Sequence, residues 1–280
     1  MSTGNGGSVP YLGAARIGSL MRAHGITPRR SLGQNFVIDP NTIRKVIDVA
    51  GIGSNDHVLE IGAGCGSLTV GLASCARRVT ALEVDERLLP PLTEVVDDTS
   101  NVDVVHGDAL TVSLGSFGAT KLVANLPYNI AATVVLRALE IAPEIDVFTV
   151  MTQKEVGLRL AAPPGSKIYG QTSVMVAFFG TARVAGRISR RAFYPVPRVD
   201  SVIVSITRHE RQPDIDRPQL FEIVKASFSQ RRKTMRNSLA SVAGSTAEAE
   251  DALRTARVAP TARAEDLDLE QFIAIAEALR

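Results

Sequence analysis

An open, mostly parallel α/β sheet followed by a small all-helical domain is the fold class this sequence predicts, and three observations predict it. Short segments at residues 56–61, 79–82, 102–105 and 121–124 read as strands and alternate with stretches of helical spacing, the pattern of βαβ units. The first segment leads into Gly62-Ala63-Gly64-Cys65-Gly66, whose glycines let the chain turn into a helix opening near Ser67 and carrying Leu68, Val70 and Leu72. Beyond Gln212-Pro213-Asp214-Ile215-Asp216-Arg217-Pro218, a linker by composition, residues 220–228, 234–242, 247–254 and 269–279 keep only helical spacing.

The remaining elements follow in order. Residues 17–24 read as a short helix, and Asp39-Pro40 as a helix cap with proline at the first helical position before Ile43, Val46 and Ile47. Residues 147–151 make a fifth strand. A helix begins at Val156 and stops at Ala161-Ala162-Pro163-Pro164-Gly165, where a mobile loop is expected, and residues 171–179 make another helix. Residues 183–189 and 201–207 alternate like two antiparallel strands joined through a Pro-rich turn at Phe193, so the sheet ends in antiparallel strands. The expected domains are residues 1–30, a disordered start with a helix; 31–211, cofactor-binding and catalytic; and 212–280, helical.

At 280 residues and 45% hydrophobic content the chain can bury a full core. It has no apolar run of membrane-spanning length, and its Gly/Ser-rich start lacks the apolar segment of a secretory signal, so a cytoplasmic protein is expected. Cys65 and Cys75 make neither a disulfide framework nor a zinc site, and His24, His57, His106 and His209 have no metal spacing, so no metal is expected.

Chemistry enters at the strand ends, where ligands sit in open parallel sheets. The loop at residues 62–66 is G-x-G-x-G; the third glycine of a dinucleotide fingerprint would fall at Ser67, which demotes a nicotinamide cofactor. Glu83, about twenty residues beyond Gly62, is placed to accept hydrogen bonds from both ribose hydroxyls of a nucleoside cofactor. Asp108, in His106-Gly107-Asp108-Ala109, can take the amine of a cofactor adenine. The fourth strand delivers Asn125-Leu126-Pro127-Tyr128. An exocyclic adenine amine is a poor nucleophile because its lone pair is delocalised into the ring. The Asn125 side-chain oxygen and the Leu126 carbonyl, held extended by Pro127, are acceptors able to localise it, and Tyr128 offers a flat face for the base. Alone the tetrapeptide reads equally well as a turn. With the three stations before it, it reads as an S-adenosylmethionine site beside an amine pocket.

The net charge of +2 hides segregation. No acid precedes Asp39, whereas Arg16, Arg22, Arg29 and Arg30 do. Arg183, Arg187, Arg190, Arg191 and Arg198 lie in a second acid-free stretch, and Arg231, Arg232, Lys233 and Arg236 form a third cluster. Each alone reads as a solvated face; three together predict an RNA partner whose phosphates they track.

Seven segments together carry a resemblance: Ser31-Leu32-Gly33-Gln34-Asn35-Phe36, the glycine loop with Glu83, His106-Gly107-Asp108-Ala109, Asn125-Leu126-Pro127-Tyr128, Gln153-Lys154-Glu155, residues 193–201 (Phe193-Tyr194-Pro195-Val196-Pro197-Arg198-Val199-Asp200-Ser201), and residues 228–234. On these, from about Ile17 to Phe272, the chain resembles the bacterial small-subunit (16S) rRNA adenine N6,N6-dimethyltransferases, known through kasugamycin sensitivity. It departs in having Ala63 for a usual proline and Arg198 for a usual lysine. The resemblance implies a Rossmann-like class I S-adenosylmethionine-dependent methyltransferase that dimethylates two adjacent adenosines in a hairpin near the 3′ end of 16S rRNA within the small ribosomal subunit or its precursor. It implies that Asn35 and the Val37 backbone close over the cofactor; that Gly62, Glu83 and Asp108, with Asn125, bind it; that Asn125 and Tyr128 face the target base; and that Phe193 stacks on its other side. Arg187, Arg190, Arg191, Arg198, Arg231, Arg232, Lys233 and Arg236 are the expected RNA contacts, the helical domain is expected to hold RNA at the catalytic mouth, and a monomer is expected. The related large-subunit methylases of macrolide resistance are the nearest alternative, disfavoured by Leu126 where they usually carry Ile. A binding factor of the same fold is the alternative from another class.

Overall fold

A computed structural model describes residues 11–29, 32–127, 129–230 and 232–280. The chain forms two compact units, Met1–Gly157 with Arg183–Thr207, and Leu158–Ala182 with Arg208–Arg280.

In chain order the elements up to the first unit's last parallel strand are α1 (Ala14–Ala23), β1 (Phe36–Val37), α2 (Pro40–Ala50), β2 (His57–Ile61), α3 (Ser67–Ala73), β3 (Arg78–Glu83), α4 (Leu89–Val96), β4 (Val102–His106), β5 (Lys121–Asn125), α5 (Ala131–Ile141) and β6 (Val147–Gln153). Then come α6 (Lys154–Leu160), α7 (Gln171–Phe179), β7 (Gly180–Ile188), β8 (Phe193–Tyr194) and β9 (Ser201–Arg208). The chain ends with α8 (Arg217–Phe228), α9 (Met235–Ala243), α10 (Thr246–Thr255) and α11 (Leu269–Ala278).

The main sheet has the order β4-β3-β2-β5-β6-β9-β7. Pairings β4–β3, β3–β2, β2–β5 and β5–β6 are parallel, and β6–β9 is antiparallel. Every residue of β2 is buried, including His57 and Glu60, so the strand shows no alternation between a core face and a solvent face. Ile43 and Val46 of α2 and Leu72 of α3 pack with Val58, Val79, Val123 and Met151 of the strands in one core. The α2 start is as read: Asp39 accepts from the Asn41 and Thr42 amides at 3.2 and 3.1 Å, and Pro40 occupies the first turn, where no amide is needed.

Register aligns the strand ends. Ile61 lies opposite both Leu82 and Ala124, and Glu83 lies opposite His106. Strand order reverses direction between β2 and β5, so Gly62 and Asn125 stand side by side at the switch point where such sheets bind ligands.

The segment around Phe193 departs from the sequence reading. It is not a plain turn between β7 and β9; it contains β8, which leaves the sheet and pairs with β1, Phe36 opposite Tyr194 and Val37 opposite Phe193. The presumed linker at residues 212–218 is also shorter than read, because Asp216 caps α8 through the Gln219 amide at 3.1 Å and Pro218 sits harmlessly in the first turn.

The second unit extends beyond residues 212–280 because aromatic packing recruits the segment Leu158–Ala182. Phe178 and Phe179 of α7 meet Phe221 edge-on, Tyr169 meets Phe228 in the same way, and the Tyr169 hydroxyl donates to the Leu267 carbonyl at 2.9 Å. Among the described residues, no helix is long and apolar enough to cross a membrane.

Candidate active site

A cleft opens at the switch point. Among its walls are Asn35, Val37, Glu60, Gly62, Glu83, Asp108, Asn125, Leu126 and Pro127. The glycine loop forms the floor, held by Gly62 N–H to the Leu82 carbonyl at 2.8 Å. Glu83 joins the loop to the end of β3: Oε2 accepts from Gly64 N–H at 2.8 Å, and Oε1 accepts from Val84 and Asp85 N–H at 3.0 and 2.9 Å. Three of the four lone-pair positions of this carboxylate are thus used, and the remaining one is on Oε2. Burial raises the Glu83 pKa, with the three N–H donors pulling against it. Asp108 Oδ1 accepts from the Leu110 N–H at 2.8 Å, which leaves its other oxygen for a ligand amine.

The loop bearing Asn35 is a roof fastened at both sides. On one side Gln34 donates to Asp85 at 2.7 Å, and Arg87 holds the Asp85 carboxyl down at about 2. On the other side Asn125 Nδ2 donates to the Asn35 carbonyl at 2.8 Å. That bond fixes the amide orientation and leaves Oδ1 as its acceptor end. Two glycines permit the closure. Gly33 has φ +62°, and a Cβ there would come within 2.8 Å of Pro127; Gly64 has φ +61°, and a Cβ there would meet the Phe36 ring at 2.9 Å. Leu126 is anchored by its buried side chain and by its N–H to the Met151 carbonyl at 3.0 Å.

Glu60, one residue before the end of β2, is 1% exposed and lines the cleft. Its Oε2 has no hydrogen-bond partner among the described residues. Burial pushes its pKa up to about 8; the neighbouring Thr69 hydroxyl pulls the other way, and the Glu83 charge adds a smaller push upward. Cys65, also in the wall, is pushed up to about 12 by burial and is an inert thiol.

The described wall therefore contains three carboxyl groups and no Lys, Arg or His. A cofactor bearing a sulfonium and an ammonium finds acids in every quarter, so the residues present fit S-adenosylmethionine.

The structure gathers Asn35, Val37, Gly62, Glu83, Asp108, Asn125, Leu126 and Pro127 in one wall. Tyr128 and Arg231 lie outside the described residues. Phe193 is a correction: it is 1% exposed, packs in the core with Val37, Ile43 and Ile203, and does not line the cleft. Strand alternation turns its ring inward, so no face is offered to a base. Of the expected RNA contacts, Arg187, Arg190, Arg191, Arg198, Arg232, Lys233 and Arg236 are exposed, and Arg236 also pairs with Glu250 at 3.1 Å. The sequence reading assigned no role to Glu60, Gln34, Phe36 or Asp85. Glu60 carries a usable signal, an acid between Leu59 and Ile61 near the end of a buried strand.

Fold and site together define a Rossmann-like class I methyltransferase. A family model described as ribosomal RNA adenine dimethylase matches residues 25–280, and the chain belongs to that family of S-adenosylmethionine-dependent rRNA adenine dimethyltransferases. It is 46% identical over 272 residues to the ribosomal RNA small subunit methyltransferase A of Leifsonia xyli subsp. xyli, covering 95% of this chain and 97% of that protein. The solved structure of 23S rRNA methyltransferase ErmE matches with a TM-score of 0.68 at 30% identity, over 88% of this chain and 99% of that one. A dimethyladenosine transferase from Plasmodium falciparum shares the fold, with a TM-score of 0.76 at 24% identity over 86% and 95% of the two chains.

Proposed function

We propose that this enzyme methylates N6 of two adjacent adenosines, in a hairpin near the 3′ end of 16S rRNA in small ribosomal subunits, to N6,N6-dimethyladenosine. The observation that carries the site assignment is the Asn125 Nδ2 to Asn35 carbonyl bond, which ties the roof to the tetrapeptide and sets Oδ1 as an acceptor at the cleft. S-adenosylmethionine, when bound, supplies an electrophilic methyl group. Asn35 and the Val37 backbone close over it, Gly62 allows its approach, and Glu83 and Asp108 hold its ribose and adenine. Asn125 Oδ1 and the Leu126 carbonyl accept hydrogen bonds from the target N6 amine, drawing its lone pair out of the ring as positive charge develops there. Neither acceptor is a base or a nucleophile; both act by placement. Reaching an amine inside this roofed cleft requires the target base to leave its stack.

The exposed cations Arg187, Arg190, Arg191, Arg198, Arg232 and Lys233 are assigned to phosphates, and the helical unit to RNA binding. The enzyme acts in the cytoplasm as a monomer. Small-subunit specificity is favoured by the 46% identity to a small-subunit methyltransferase against 30% to a large-subunit one. Incubation with labelled cofactor and immature small or large subunits, followed by nucleoside digestion, tests the reading. N6-dimethyladenosine is expected from the small subunit; its absence there, or its appearance from the large subunit alone, overturns it.

A further inference from the structure

β8 is two residues long and sorts two aromatic rings to opposite faces. Phe193 goes inward beside its register partner Val37, and both belong to the same core. Tyr194 goes outward, 42% exposed, opposite Phe36, whose ring covers Gly64 and lines the cleft. Cross-strand partners project from the same face of a ribbon with Cβ atoms about 5 Å apart, so Tyr194 shares the face of Phe36, the ring that covers Gly64, and lies outside the residues that line the cleft.

A large ring left 42% exposed presents a face that the fold does not use. Its neighbours are of a matching kind: Val196 and Val199 are 59% and 37% exposed, and Arg190, Arg191 and Arg198 are exposed around them. Arg190 and Arg198 share a second cleft with Lys154, Glu155 and Asp200, and Asp200 Oδ1 already accepts the Arg190 amide at 3.0 Å. A flat ring flanked by apolar surface and guanidinium groups is the composition that holds single-stranded nucleic acid, the ring taking a base and the cations the phosphates on either side.

We infer that Tyr194 is a stacking platform for an unpaired base next to the target adenosine, with Arg190 and Arg198 taking the adjoining phosphates. The inference rests on the proposed function and concerns a base other than the target. As a positioning residue, Tyr194 holds the RNA strand so that the target base is presented to the cleft.

The test compares wild type with Tyr194→Ala, Tyr194→Phe and Tyr194→Trp, using small subunits and a hairpin RNA carrying 2-aminopurine on either side of the target. Tyr194→Ala is expected to raise KM for RNA roughly 10-fold or more, the size found when a base-stacking ring is removed. It should also abolish 2-aminopurine quenching at one flanking position. Cofactor affinity and melting temperature should stay at wild-type values, and Phe and Trp should restore KM. Wild-type KM and quenching in Tyr194→Ala overturn the inference, as does a parallel loss of cofactor binding, which would make the residue structural. Wild type that binds cofactor but methylates neither substrate would sink the underlying methyltransferase reading instead.

Discussion

The cleft at the switch point and the segment outside it carry opposite charge. Within the described wall, Glu60, Glu83 and Asp108 stand without a cation, while residues 187–198 expose Arg187, Arg190, Arg191 and Arg198. A net charge of +2 therefore averages two specialised surfaces, one suited to a cationic cofactor and the other to a polyanion. Substitutions in the first should alter catalysis and cofactor affinity with little effect on salt dependence. Substitutions in the second should do the reverse.

The largest effect is expected at Asn125, where the roof and the acceptor pair meet. Asn125→Ala should lower the single-turnover methylation rate by about 10²- to 10³-fold, the range found when one preorganised group facing developing charge is removed. Asn125→Asp separates its two jobs, because it keeps an acceptor oxygen but sets a carboxylate against the Asn35 carbonyl in place of the present donor. A rate loss as deep as that of Ala would assign the effect to roof closure; a shallower loss would assign it to the acceptor.

Glu60 sharpens the charge comparison through pH. Its pKa is raised from 4.5 to about 8, so the folded protein holds a proton that the unfolded chain releases. The stability this proton contributes is complete below about pH 4.5 and is lost as pH rises through about 8. Urea denaturation should accordingly show stability falling across that window by something on the order of a few kcal/mol, and Glu60→Gln should flatten the fall. A cationic cofactor favours the ionised carboxyl, so its affinity should climb with pH up to about 8 in wild type and stay level in Glu60→Gln when measured by calorimetry. A level profile in wild type would remove Glu60 from the cofactor site.

Gly64→Ala comes next. The methyl would sit at φ +61° and within 2.9 Å of the Phe36 ring, so the chain must strain or the roof must lift. A loss of about 1–3 kcal/mol in stability or cofactor binding is expected, read as a fall in melting temperature or a rise in Kd.

How much of this was legible follows from what each residue answers to. Strands β2, β3, β5 and β6 are largely buried while β4 is only partly so, and the residues at the strand ends are ones that burial does not explain, so Gly62, Glu83, Asp108 and Asn125 stand out in the sequence and meet in the structure. The cap at Asp39-Pro40 is local chemistry and was equally readable. Phe193 and Tyr194 were not, because an aromatic pair gives no clue to which member faces inward. That is decided by pairing with β1, more than 150 residues earlier in the chain. The bridge from Gln34 to Asp85 is likewise a long-range contact without periodicity. Leu158–Ala182 joined the helical unit through Phe178, Phe179 and Tyr169, whose partners lie in α8 and beyond.

The smallest effect is expected on the basic segment, and its value lies in its selectivity. Each exposed arginine that neutralises one phosphate of a single strand contributes roughly 0.7 to the slope of log K against log salt. Arg187→Ala, Arg191→Ala and Arg198→Ala should each weaken RNA binding a few-fold at moderate salt, and the triple variant should lower the slope by about 2. The acid-walled cleft should not register these changes, so cofactor Kd and the single-turnover rate at saturating RNA should stay at wild-type values. Arg236→Ala is the internal control. Its guanidinium is engaged by Glu250, which Arg254 also holds, so its removal should change the slope less than any member of the 187–198 group. If the slope instead fell most with Arg236, phosphate tracking would belong to the helical unit, and the contrast between the two surfaces of the sheet unit would lose its meaning for RNA.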